Sequence, residues 1–172
     1  MPIPLVMTII APDRTGLVES LARAVADHSG NWLESRMCRL GGEFAGILRI
    51  ELPQEKKSAL LGALQKIQGL NVTVRIDESR TAATQARQTR LELVGHDRPG
   101  IVRDISAALA RAGVNVEEFS SEIAPAPMSG EPLFKATARL QLPEGCNVNA
   151  LRKDLEKIAA DLLVDLAFGE TS

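Results

Sequence analysis

A chain of 172 residues is long enough for two compact domains of about 80 residues each, and domains this small gain stability by burying a face against a neighbour. Its 45% of hydrophobic residues, 24% of charged residues and mean hydropathy of zero are typical of a soluble globular protein and exclude a largely disordered chain. The net charge is only −2 and the basic residues are scattered among acidic ones, which argues against direct binding of nucleic acid.

Targeting, membrane and metal signals are also missing from the sequence. The longest early apolar stretch, Ile3–Ala11, is too short to span a bilayer, carries a proline and lacks a basic leader. We therefore expect a cytoplasmic protein without a membrane segment. Cys38 and Cys146 have no Cys-x-x-Cys partner, so we expect neither a metal site nor a disulfide framework.

The first half of the chain predicts six elements in the order strand, helix, strand, strand, helix, strand. Leu5–Ile10 is a short apolar β-rich run, and apolar residues then recur at helical spacing from Leu17 to Val25, ending near Gly30. The dipeptide Gly41-Gly42 suits the positive φ angles of a tight hairpin. The remaining elements are the strands Trp32–Leu40 and Phe44–Leu52, the helix Glu55–Gln68 with Gly69 as its C-terminal stop, and the strand Val72–Ile76.

A polar segment then separates two similar halves. Asp77–Gln88 has almost no large apolar side chain, which is typical of a linker, and we place domains at residues 1–77 and 89–170 with a linker at 78–88. The second half repeats the order of the first, with strands Arg90–Gly95, Asn115–Ala124, Leu133–Leu142 and Leu162–Phe168 and helices from Pro99 to about Ala112 and from Val148 to Ala160.

The order βαββαβ in each half predicts an α+β fold. Two ferredoxin-like domains follow, each with a four-stranded antiparallel sheet and two helices on one face. Because this fold hosts many unrelated functions, the function has to be inferred from particular residues.

The most informative feature is a sequence repeat at the junction of first strand and first helix. The segment at 13–18, Asp-Arg-Thr-Gly-Leu-Val, recurs at 97–102 as Asp-Arg-Pro-Gly-Ile-Val, and Asn31 lies as far beyond the first copy as Asn115 lies beyond the second. A repeat of half the chain indicates two copies of one domain. The hairpin loop differs, because Pro125–Pro132 replaces the Gly41-Gly42 turn, and a loop that is longer in one copy is a candidate partner or lid segment.

The repeated junction predicts two anion sites. Free amides at the helix entries around Gly16 and Gly100, with the positive end of each helix dipole, suit a carboxylate. The side-chain carbonyls of Asn31 and Asn115 could accept hydrogen bonds from an α-ammonium group. Three or four charge-assisted hydrogen bonds, less the cost of association, give roughly micromolar to millimolar binding.

The motif Asp-Arg-x-Gly-[Leu/Ile]-Val, followed by an Asn at the next strand, resembles the signature of the ACT domain, a small regulatory module that senses amino acids. Residues 31–46, which contain Glu-Ser-Arg and Leu-Gly-Gly-Glu-Phe, are similar to the second and third strands of the glycine cleavage system transcriptional repressor family. The tandem arrangement covers essentially the whole chain. The first copy has Thr15 where the second has Pro99 and the typical motif has proline.

The resemblance implies a noncatalytic regulator that binds a small amino acid such as glycine and controls transcription through a DNA-binding partner protein. We expect no cofactor, and the small size of the domains leads us to expect a homo-oligomer. The candidate ligand-binding residues are Asp13, Thr15, Gly16, Leu17 and Asn31 in the first copy and Asp97, Pro99, Gly100, Ile101 and Asn115 in the second.

Each candidate also has a simpler structural interpretation. An aspartate just before a helix is more often an N-cap, which we favour for Asp13 and Asp97. The two motif glycines could serve only the tight turn, and the two asparagines follow helix ends, where Asn is common as a left-handed terminator. His96 beside Asp97 suggests a catalytic pair, but neighbouring strand residues point to opposite faces.

Four functions remain in competition. The leading hypothesis is a tandem ACT regulator that binds an amino acid at the interface of repeats or subunits. The alternative is a ligand-independent interaction adaptor with an ACT fold. An enzyme is disfavoured because the two repeats and the linker leave no room for a catalytic domain. Direct DNA binding is disfavoured because the chain has neither a helix-turn-helix pattern nor a basic arm.

Overall fold

A computed structural model describes residues 1–79 and 86–169 of the chain. It divides into two compact units, Met1–Thr81 and Ala82–Ser172, which we call the first and second domain. No helix within the described ranges is long and apolar enough to cross a membrane.

The first domain has the predicted βαββαβ order. Its elements are β1 (Pro2–Pro12), α1 (Leu17–Asp27), β2 (Asn31–Leu40), β3 (Glu43–Pro53), a short 3-10 turn (Gln54–Lys56), α2 (Lys57–Gln65) and β4 (Asn71–Ile76). The four strands form an antiparallel sheet in the order β2-β3-β1-β4. The central position of β1 means that the first strand of the domain pairs with its last.

The hairpin between β2 and β3 confirms the interpretation of the two glycines. Gly41 and Gly42 have φ angles of 60° and 82°, and Leu40 pairs with Glu43 directly across the turn. A register shift between Trp32 and Glu34 places a β-bulge near the start of β2. Because of the bulge, Trp32 and Ser35 lie on the same face of the sheet, where they pair across the strands with the buried Ile50 and Leu48.

The core of the first domain lies between one face of the sheet and the two helices. Alternate residues of β1, from Leu5 to Ala11, are at most 3% exposed, as the period of a half-buried strand requires. The helix α1 contributes Leu17, Leu21 and Val25 at a spacing of four residues, whereas Val18 of the predicted stripe is about half exposed. The second helix is shorter at both ends than the predicted range Glu55–Gln68, because Gln54–Lys56 form the 3-10 turn and the helix ends at Gln65.

The end of β4 is fixed to the sheet by an ion pair. Arg49 Nε lies 2.6 Å from Asp77 Oδ2, and the Asp77 side chain is only 6% exposed. The hydroxyl and the backbone N–H of Ser79 donate to Asp77 Oδ1. These Ser79 hydrogen bonds, together with the Arg49 guanidinium, lower the pKa of Asp77 from its ordinary 3.8.

The second domain repeats this architecture. Its elements are β5 (Arg87–His96), α3 (Ile101–Arg111), β6 (Asn115–Pro125), β7 (Pro132–Leu142), α4 (Val148–Leu162) and β8 (Val164–Gly169). The sheet order is β6-β7-β5-β8, which matches the first sheet strand for strand. The strand β5 begins at Arg87, inside the segment 78–88 that the sequence assigns to a linker, and residues 80–85 of that segment lie outside the described ranges.

Each domain has its own core of buried apolar side chains. In the second, alternate residues of β5 and β7 face Ile105 and Leu109 of α3 and Leu151 and Leu155 of α4. The buried Thr89 satisfies its hydroxyl by donating to the carbonyl of Gly169. The fold is therefore α+β, with two ferredoxin-like domains, as the sequence predicts.

Candidate functional site

In the first domain, the turn between β1 and α1 is held by a left-handed glycine. Gly16 has a φ of 88° and occupies the N-cap position of α1. The hydrogen bonds of the helix begin with Ser20 N–H, which donates to the Gly16 carbonyl over 2.9 Å. The amides of Leu17 and its two successors therefore have no acceptor within the helix, and the positive end of the helix dipole lies at the same place.

The structure corrects the N-cap interpretation of Asp13. Among the described residues no side chain caps α1, and the Asp13 carboxylate instead pairs with Arg39 at the end of β2, with 2.7 Å between Oδ2 and Nε. The Asp13 backbone N–H donates to the Gly42 carbonyl over 2.9 Å. The predicted site residue thus joins the helix turn to the β2–β3 hairpin. Arg39 could not be identified from the sequence, because it lies outside the repeated motif and no sequence pattern pairs it with Asp13.

A shallow groove of about 470 Å³ lies beside this turn. Its lining includes Asp13, Gly16, Leu17, Val18, Ala22 and Phe44. Three of the five predicted site residues of this domain thus contribute to one groove. The Leu17 side chain is 3% exposed and belongs to the core, so only its backbone contributes to the groove.

The turn in the second domain has the same construction. Gly100 has a φ of 96° at the N-cap of α3, Asp104 N–H donates to the Gly100 carbonyl over 2.9 Å, and Asp97 N–H donates to the Pro132 carbonyl over 3.2 Å. No described side chain caps this helix either, which corrects the same interpretation of Asp97. Pro99 is exposed, whereas the Ile101 side chain is 2% exposed and lies in the core.

The two asparagines lie at the other end of each sheet. Asn31 pairs with Glu51, which pairs with Pro4 at the start of β1, whereas Asp13 follows the end of that strand. Pro4 and Asp13 are nine positions apart along the chain, which corresponds to about 30 Å at about 3.3 Å per residue of β-strand. In the second domain Asn115 pairs with Gln141 at the corresponding end. Within a single domain, the asparagine and the β–α turn therefore lie at opposite ends of the sheet and cannot contact the same small ligand.

The interpretation of Asn31 and Asn115 as left-handed helix terminators is wrong. Positive φ angles after the first helix of each domain occur instead at Ser29, with 59°, and at Gly113, with 70°. Both asparagines are the first residues of their strands and are exposed. Their side chains remain available to a ligand or to another chain.

A second cavity, of about 710 Å³, lies at the Asn115 end of the second domain. Its polar lining includes Asn115, Gln141, Glu144 and Arg87. This cavity could not be predicted from the sequence, because its lining comes from the ends of three strands, from loops and from the start of α4.

The remaining candidates are ordinary surface features. His96 Nδ1 lies 3.5 Å from Glu131 Oε2 with both side chains largely exposed, and His28 Nδ1 lies 2.7 Å from the Ala24 carbonyl. On the outer face of the first sheet, a hydrogen bond from Arg36 lowers the pKa of Glu34. The described residues contain no group of three histidine, cysteine, aspartate or glutamate side chains that could hold a metal ion.

The sequence matches protein-family models in both domains. A model described as an ACT domain matches residues 4–77, and a second ACT-domain model matches residues 89–134. Residues 135–169 then supply the rest of β7, α4 and β8, which complete the same fold as in the first domain. The UPF0237 protein MK1213 of Methanopyrus kandleri is 35% identical over 75 residues, which are 43% of this chain and 77% of that protein.

Solved structures match both domains together. An unknown protein from Galdieria sulphuraria has a TM-score of 0.85 and 29% identity, with all of both chains covered. A protein provisionally named glycine cleavage system transcriptional repressor has a TM-score of 0.70 and 19% identity, over 98% of this chain and 97% of the other, which is a likeness of fold. From the two family matches and the repeated βαββαβ architecture, the chain belongs to the ACT-domain family and carries two ACT domains in tandem.

Proposed function

We propose that this chain is a noncatalytic regulator that binds a small amino acid such as glycine at the turns of its ACT domains. The observation that carries the proposal is the construction shared by both turns. Each has a left-handed glycine at the N-cap, helix amides without a partner in the helix, and an aspartate fixed to the neighbouring hairpin. Unpartnered amides at a helix N-terminus favour a carboxylate.

The first domain supplies both charges that an amino acid requires. The amides after Gly16 suit the carboxylate of the ligand, and the Asp13 carboxylate offers an acceptor for its ammonium group. Asp13 is about one-third exposed and already shares its charge with Arg39, so a ligand would compete for an existing ion pair. Such an exchange favours modest affinity, in the range useful for sensing a metabolite.

The asparagine of the site has to come from a second copy of the domain, because the two groups lie about 30 Å apart within one. The strand β2 lies at the edge of its sheet. It begins at Asn31, and near its other end Arg39 pairs with Asp13 of the turn. If two copies of β2 pair in antiparallel fashion, Asn31 of each lies opposite the Arg39 end of the other. A homo-oligomer of this kind carries two composite sites related by symmetry.

The output of this sensor is transcriptional control through a DNA-binding partner protein. The likeness of residues 31–46 to the glycine cleavage repressor family, and the similarity of fold to the protein provisionally named after that function, support this part of the proposal. The net charge of −2 favours a protein partner over direct contact with DNA.

Isothermal calorimetry of the full chain with glycine and then serine tests the proposal. We expect saturable heat, of which Asn31→Ala abolishes the part due to the first domain and Asn115→Ala the part due to the second, with Asn71→Ala, at an exposed asparagine at the start of β4, as the matched control. Mixing Asn31→Ala with Asp13→Ala should restore part of the binding, because one composite site of the mixed pair keeps both groups. Silence with every amino acid would instead favour the ligand-independent adaptor.

A further inference from the structure

The second domain contains an apolar pocket of about 150 Å³ between α3 and the edge strand β6. Its floor includes Leu93, Ile105, Leu109 and Ala138, which are at most 5% exposed. Its rim includes Val116 and Phe119, which are 40% and 47% exposed. The pocket therefore reaches the hydrophobic core and opens at the surface.

Two residues that line the pocket are smaller than their equivalents in the first domain, whereas Phe119 is larger than its equivalent, Ser35. Ala138 occupies the position of Leu48, since each lies directly opposite the equivalent residue of the central strand. Val116 occupies the position of Trp32, 84 residues earlier, and the Trp32 indole packs against the first core. In the first domain the larger Leu48 is fully buried and Trp32 packs against the core.

The pocket offers a ligand only apolar contacts. The hydroxyl of Ser106, which borders the pocket, donates to the Arg103 carbonyl over 3.1 Å. An apolar cavity of about 150 Å³ lined by Leu, Ile and Phe stays dry and takes up benzene in another protein, so this volume suits a group of about four to six carbons. Water gains too few hydrogen bonds to compete for such a space.

We propose that the second domain binds an amino acid with a branched aliphatic side chain, leucine or isoleucine, and that the side chain occupies this pocket. The identity of the charged end rests on the proposed function, whereas the identity of the side chain rests on the pocket. Val102, two residues beyond Gly100, borders the pocket next to the turn. The first domain, with Leu48 and Trp32 in place, retains the preference for a small amino acid.

The expected selectivity follows from the buried carbon atoms. Each carbon transferred from water to an apolar pocket tightens binding about fourfold. Four buried carbons therefore make leucine on the order of a hundredfold tighter than glycine at the second domain. At the first domain no such advantage is expected.

The test is a titration of the methyl-labelled full chain with leucine, isoleucine and glycine, followed by NMR and calorimetry. We expect leucine to shift the methyl signals of Ile105 and Leu109, with the signal of Ile9 in the first core as reference. Val116→Trp fills the pocket and should abolish leucine binding, and Ala138→Leu should do the same if the larger substitution fails to fold. Trp32→Val is the matched control in the first domain and should leave leucine binding at the second unchanged.

The possible results separate this inference from the proposed function. Glycine binding without any advantage for leucine would overturn the inference and leave the proposed function standing. Leucine binding that survives both pocket-filling variants would also overturn it. If no amino acid binds, this inference and the proposed function fail together. If benzene shifts the methyl signal of Ile105 but no amino acid does, the pocket is open without amino-acid specificity, which also overturns the inference.

Discussion

Filling the apolar pocket should stabilise the second domain. Ala138→Leu adds three carbons at a position that is 5% exposed and borders about 150 Å³ of apolar space. At about 0.8 kcal/mol per buried carbon the gain is about 2.4 kcal/mol, from which ordering a leucine side chain removes about 0.5–1 kcal/mol. A net gain of about 1.5 kcal/mol corresponds to a rise in Tm of roughly 6–12 °C for a domain of this size.

Urea denaturation with two probes measures this effect. The single tryptophan, Trp32, reports on the first domain, whereas far-UV circular dichroism reports on both. We expect Ala138→Leu to raise the urea midpoint of the second domain, seen by circular dichroism, and to leave the fluorescence midpoint of the first domain unchanged. The reverse substitution in the first domain, Leu48→Ala, removes a fully buried side chain and should cost about 2–5 kcal/mol. A lower midpoint for Ala138→Leu would mean that β7 and α3 leave no space there, and would refute the reasoning.

Four further substitutions test the backbone and the ion pair by urea or acid denaturation. Gly16→Ala should cost about 1–2 kcal/mol from its positive φ alone, since an added Cβ has nothing within 4 Å, and a much larger loss would indicate a clash. Gly95→Ala should cost about 1–3 kcal/mol of stability, because its Cβ would lie within 2.8 Å of the Val164 backbone. Gly62→Ala in α2 should instead add about 0.5–1 kcal/mol, because its Cβ has nothing within 4 Å and alanine favours a helix. The lowered pKa of Asp77 contributes stability above pH 3.8, and this stability is lost as the pH falls through the lowered value. Asp77→Asn should therefore make the stability of the first domain, followed by tryptophan fluorescence, less dependent on pH in this range. An unchanged acid midpoint would contradict this.

The element order and the hairpin could be predicted because they depend on local signals. Alternating apolar residues specify the strands, and Gly41-Gly42 specifies a turn with positive φ angles, whichever way the rest of the chain folds. The turn at Gly16 was predictable for the same reason. Helix α2 was overestimated in length at both ends, because the apolar pattern distinguishes neither a 3-10 turn at the start nor irregular turns at the end from an α-helix.

The composition of the site was less predictable, because it depends on where strands begin and end in space. Asp13 and Asn31 are 18 positions apart in sequence, but α1 returns the chain to the opposite end of the sheet before β2 begins. The ion pair of Asp13 with Arg39 depends on the register of the hairpin. The pocket depends on a bulge in β6 that brings Val116 and Phe119 to one face, and strict alternation would not have paired them.

The central position of β1 has a consequence for synthesis on the ribosome. The first sheet is complete only once β4, which ends at Ile76, has emerged to pair with β1. The second sheet is complete only with β8, which ends at Gly169, and at about 5–20 residues per second the 93 residues from Ile76 to Gly169 take about 5–20 s to translate. The first domain therefore has time to close its sheet before the second sheet is complete. Sequential closure of this kind protects two similar repeats from exchanging strands, which is a typical misfolding route of tandem proteins.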